Sequence, residues 1–65
     1  MKNFIQLTQK SEIAGSESNA LLLNINNIVS VAERPNYTHI ICGTGVFYKV
    51  AESYSQVLTL IEKAQ

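Results

Sequence analysis

His39 and Cys42 offer the most chemistry in this chain: an imidazole, the side chain most used for proton transfer, and a thiol that can act as a nucleophile. They lie three apart in the run Tyr37-Thr38-His39-Ile40-Ile41-Cys42, whose β-branched and aromatic residues predict a strand. Side chains alternate along a strand, so an odd spacing sends the two groups to opposite faces and no dyad forms. Cys42 reads as a small core residue and His39 as a surface histidine. One Cys and one His are too few soft ligands for an intrachain zinc site. No Gly-rich phosphate loop, paired carboxylates or nucleophile–base pair is visible in the sequence. The expectation is a protein that is not an enzyme and takes no cofactor and no metal. Asn36-Tyr37-Thr38 matches a glycosylation sequon, read as chance because no signal peptide is expected. Tyr37, Tyr48 and Tyr54 could stack on bases, but of the basic residues only Lys49 interleaves with them.

The elements that must carry these residues centre on positions 37–64. Two strands, near 37–42 and 46–50, flank Gly43-Thr44-Gly45, where glycine's access to positive φ allows a three-residue hairpin loop with a bulge. A helix near 53–64 follows. Ser53 with Gln56 three residues on matches a capping box, and Glu52 favours the positive end of the helix dipole. Tyr54, Val57, Leu58, Ile61 and Ala64 recur at helical spacing as the apolar face, with Leu60 at its edge. Upstream, strands are expected near 3–8, 20–25 and 28–33. The asparagines at 24, 26 and 27 and the Arg34-Pro35-Asn36 corner supply the turns. Positions 9–19 are polar apart from Ile13, carry Glu12 and Glu17, and read as a long mobile loop. The predicted fold is a single α+β domain over 1–65: a small antiparallel, strongly curved sheet of four to five strands, then one C-terminal helix.

A chain of 65 residues buries little core on its own, and a single cysteine rules out an intrachain disulfide. Five basic and five acidic residues balance, and the basic ones are scattered, so nucleic acid has no electrostatic footprint. No apolar run approaches the ~18 residues of a membrane span, and an unpaired cysteine fits a reducing, cytoplasmic compartment. Alternation gives the main inference. Ile40, Cys42, Tyr48 and Val50 share one face of the hairpin, and Ile41 and Phe47 share the other with His39 and Lys49. One helix covers one face. Phe4, Leu22, Ile41 and Phe47 are left on the other, as an apolar interface for a homodimer or small ring, or for another protein.

The pattern resembles the flagellar FlbD-like family of short bacterial proteins. The likeness is carried by Leu7-Thr8, Leu23-Asn24, Ile28, Val31, Gly45, Val50 and Glu52-Ser53, and covers most of the chain outside 9–19. The resemblance implies the fold and a link to flagellar gene clusters; it carries over no catalytic residue. The strand-rich part of LytTR-type DNA-binding domains shares the same succession of strand, Asn turn, Gly turn and Glu-Ser helix start. The function expected is therefore a small, non-catalytic, self-associating interaction or scaffold module, the alternative being a nucleic-acid-binding regulator.

Overall fold

The computed structural model describes residues 2–10 and 19–65. It is an α+β structure with a five-stranded antiparallel sheet followed by one C-terminal helix. The strands are β1 (Phe4–Gln9), β2 (Asn19–Asn24), β3 (Ile28–Glu33), β4 (Thr38–Cys42) and β5 (Phe47–Val50), and the helix is α1 (Tyr54–Ala64). No helix among the described residues is long and apolar enough to cross a membrane.

The turns follow from their residues. Asn24 caps a 3-10 turn over Ile25–Asn27 by accepting the Asn26 N–H on its side chain. In the hairpin after β4, the Gly45 N–H donates to the Cys42 carbonyl at 2.9 Å and the Cys42 N–H to Val46 at 2.8 Å. Gly45 takes φ 85° to close this three-residue loop. At the start of α1, the Gln56 N–H donates to Ser53 Oγ while Gln56 Oε1 accepts the Ser53 N–H, a complete capping box.

Strand order is β2-β1-β5-β4-β3. β1 and β2 pair along their whole length, from Phe4 with Asn24 to Gln9 with Asn19. Gln9 and Asn19 are thus strand residues that face each other, not ends of a loop; they remain extended because each completes the ladder. Within the expected 9–19 loop, residues 11–18, with Glu12, Ile13 and Glu17, lie outside the described residues. β4 pairs regularly with β5, and β3 pairs with β4 around a bulge at Val29, between Ile28 and Ser30.

The strong curvature expected of the sheet is not found. The sheet stays open, with β2 and β3 as its two edges. The reason lies at the seam between β1 and β5, where only Gln9 and Val50 pair. From that point the β1–β2 ladder runs one way and the β5–β4–β3 ladder the other. A flat sheet would hold the far ends of β2 and β3 about nine residue steps apart, roughly 30 Å. The link Ile25–Asn27 spans about a third of that. It is also stitched to both blocks: the Ile25 N–H donates to Asn3 O at 2.9 Å, and Asn27 O accepts the Gly43 N–H at 2.8 Å. The two blocks therefore bend toward each other about the seam instead of curling evenly.

The inside of that bend is the core. Ile5, Leu7 and Leu23 come from one block, Ile40, Cys42 and Val50 from the other, and Val57 and Ala64 from the helix. Leu60 and Ile61 pack against them half-buried, whereas Tyr54 and Leu58 stay exposed. The helix is rotated relative to the expected face: Leu60 is in and Leu58 is out. Its last turn is held by the Asn3 N–H, which donates to the Ala64 carbonyl at 2.7 Å. Asn3 itself sits at φ 68°, a conformation that asparagine tolerates better than most residues.

Candidate interaction surface

The outer side of the bend carries the residues that alternation assigned to it. Phe4 is 37% exposed, Leu22 53% and Phe47 56%, and Ile41 is half-buried. The structure joins them in pairs. Phe4 and Leu22 are diagonal neighbours on β1 and β2, since Phe4 faces Asn24 and Leu22 faces Gln6. Ile41 and Phe47 are directly opposed on β4 and β5. The seam separates the two pairs, so they form two apolar patches on different blocks. The exposed Val46 sits beside Phe47 in the hairpin.

A row of rings crosses the β4–β5 block. His39 meets Phe47 edge-on at 5.0 Å between centroids and Tyr37 at 6.2 Å, and Lys49 Nζ lies 5.1 Å from the centre of the Tyr37 ring. Lys10 reaches the same end of the block, donating from Nζ to Asn36 O at 2.7 Å. His39 is thus on the outer face, while Cys42 points into the core. Burial pushes the Cys42 thiol above its ordinary range, because a thiolate there loses its hydration. The imidazole and the thiol are not brought together.

Glu52 has a role that sequence reasoning assigned only to the helix dipole. At the seam β5 has ended, and β1 still presents backbone to it. Thr8 O accepts the Ala51 N–H at 2.8 Å. The Thr8 N–H donates to both Glu52 carboxylate oxygens, at 2.8 and 3.1 Å, and Thr8 Oγ1 donates to Oε2 at 3.1 Å. The carboxylate stands where the next strand carbonyl would be. Thr38, 2% exposed, anchors the same turn by donating from Oγ1 to the Glu52 carbonyl at 2.6 Å. A side chain 44 positions away in sequence leaves no local pattern, so only the pairing of a carboxylate with a threonine near a strand end hinted at it.

Two hollows flank this junction. One, of about 310 Å³, is lined by Glu52, Ser55, Gln56, Thr59 and Leu60. Its polar groups are already engaged: Glu52 with Thr8, Gln56 with Ser53, and Thr59 Oγ1 with the Ser55 carbonyl. The other, of about 210 Å³, lies between the Arg34–Asn36 turn and the start of α1. The first therefore offers no set of uncommitted polar groups such as a small-molecule site presents, and the second is lined by Glu33, Arg34, Asn36, Tyr37 and Tyr54. Comparison with protein-family models, curated proteins and solved structures gives no match for this chain.

Proposed function

We propose that the protein is a small, non-catalytic module that associates with copies of itself through the outer side of its sheet, as a dimer or small ring in the cytoplasm. The observation that carries this reading is the exposure of Phe4, Leu22 and Phe47 on the side of the sheet that α1 leaves uncovered. Burying a side chain of this kind contributes ~1.5–3 kcal/mol, so a shared face adds a stabilisation that a short chain lacks. The absence of chemistry is part of the proposal: His39 and Cys42 occupy opposite faces, and the Glu52 carboxylate is committed to Thr8. The FlbD-like affiliation is proposed with it. Thr8 and Glu52, two residues that carry the likeness, are hydrogen-bonded partners, which gives their joint presence a structural reason.

Sedimentation at ~100 μM, a concentration that populates even micromolar dimers, tests the reading. The expected outcome is a mass above that of one chain, and Phe47→Glu should lower it by placing a charge in a desolvated contact. A parent that sediments as a single chain refutes self-association.

One observation favours the second reading, nucleic-acid binding: the row Tyr37–His39–Phe47 with Lys49 and Lys10 beside it. Stacking on such a row would bind single strands. An electrophoretic shift with mixed DNA and RNA that is lost at high salt would support it.

A further inference from the structure

The two edges of the sheet differ. β3 is blunted in the ways that natural edges usually are: it carries the bulge at Val29 and ends on Glu33. β2 has none of these features. Its sequence, Asn19-Ala20-Leu21-Leu22-Leu23-Asn24, contains no charge and no proline, and its ladder with β1 has no irregularity. An unprotected edge of this kind is a template for another strand.

The direction of its free groups can be worked out. The Ile25 N–H donates to Asn3 O, so odd-numbered residues of β2 turn their backbone toward β1. β1 agrees, because its even-numbered Thr8 and Lys10 bond to the opposite side, at the seam. Ala20, Leu22 and Asn24 must therefore point N–H groups outward from β2, and Ala20 and Leu22 their carbonyls as well. Among the described residues, no side chain reaches those groups.

We infer that the outer edge of β2 pairs with the same edge of a second copy, antiparallel and centred on Leu22. This rests on the self-association proposed above but confines it to the Phe4–Leu22 end of the outer side. Phe47, on the other block, lies outside an edge-paired contact, so Phe47→Glu would then keep the parental mass, which separates edge pairing from a contact across the whole outer face. Parity selects the register, since two strands related by a two-fold axis exchange hydrogen bonds only where outward residues face each other. Centring on Leu22 sets it opposite the partner's Leu22 and sets Ala20 opposite the partner's Asn24. Leu22 then exchanges both hydrogen bonds with its copy, and each Asn24 N–H donates to the partner's Ala20 carbonyl. The side chains match on both faces. Leu22 meets its own copy on the outer side, beside the two Phe4 rings. On the inner side Leu21, half-buried now, lies opposite the partner's Leu23 and becomes covered. No like charges meet, because the strand carries none. The product is one continuous ten-stranded sheet.

Three variants test the pairing. Ala20→Pro puts a ring where the partner strand would lie, at an exposed edge position where proline is tolerated within a single chain. It should halve the sedimenting mass and leave the circular dichroism spectrum unchanged. Leu22→Cys should form an intermolecular disulfide on mild oxidation, because directly opposed hydrogen-bonded residues have Cα atoms about 5.5 Å apart, within disulfide range. Ala20→Cys should not, since it faces the partner's Asn24, and native Cys42 is buried and gives little background. If the parent self-associates while Ala20→Pro keeps the parental mass and Leu22→Cys crosslinks no better than Ala20→Cys, edge pairing is wrong and self-association stands. If the parent is a single chain, self-association is wrong and the pairing falls with it. Should Ala20→Pro unfold, the two cysteine variants decide alone.

Discussion

Replacing Glu52 with alanine removes the acceptor for three contacts from Thr8, at 2.8, 3.1 and 3.1 Å, and leaves the Thr8 N–H facing the seam with nothing to bond. Hydrogen bonds to a charged group contribute ~1.5–3 kcal/mol, and an N–H left unsatisfied costs a similar amount. The site is half-buried, so water recovers part of this, and the expected loss is about 2 kcal/mol. A single core of this size rarely supplies more than ~3–5 kcal/mol in total, so the variant should lose about half its stability. At ~4–8 °C per kcal/mol for a small domain, Tm should fall by roughly 8–16 °C. Glu52→Gln separates the hydrogen bonds from the helix dipole. Glutamine keeps a carbonyl acceptor and should cost only about 1 kcal/mol. A pure dipole effect would lose everything with the charge, at most ~1 kcal/mol, in both variants alike. Urea melts of the three proteins at one concentration read this directly. Equal losses for alanine and glutamine would refute the strand-mimic role of the carboxylate.

Three further outcomes are expected. Ser53→Ala should cost about 1 kcal/mol in the same melts, because the Gln56 N–H loses its capping oxygen. Gly45→Ala should cost ~1–2 kcal/mol although its side chain would meet open space, because at φ 85° the penalty is backbone strain; a neutral result would mean that the loop re-forms another way. Cys42 should resist alkylation at pH 8 in the native state and react on addition of denaturant, since burial both shields the thiol and raises its pKa; rapid native labelling would show that the core opens.

What could be read from the sequence was what is local. Ser53 and Gln56, Gly45, and the Asn24–Asn27 cluster each determine their conformation within a few residues, and each turn appears where those residues stand. Strand alternation also placed Phe47 and Ile41 outside and Ile40 and Cys42 inside, because a strand's period of two leaves no intermediate choice. A helix is less decisive. At about 100° per residue, Leu58 and Leu60 flank the Val57–Ala64 line on opposite sides. Only the tilt of the sheet beneath decides which is covered, and it covers Leu60. The bend was invisible for a related reason: it depends on where β1 meets β5, a pairing of residues 41 apart that neither strand announces. The same holds for the partition of the four apolar face residues into two patches.

The seam also divides the chain in time. The pairings of β3 with β4 and of β4 with β5 close short loops, and β1 with β2 close on each other, so both blocks can assemble from near neighbours. Joining Gln9 to Val50 closes the longest loop in the sheet for a single pair of strand residues. We expect this to be the last event of folding, after the rate-limiting barrier. Glu52, which belongs to that joint, should then govern how fast the protein comes apart and hardly at all how fast it forms. In stopped-flow chevrons Glu52→Ala should raise the unfolding limb and leave the refolding limb in place; a slowed refolding limb would put the seam inside the nucleus. On this view the lifetime of the native fold is set by one carboxylate bridging two halves that each form quickly.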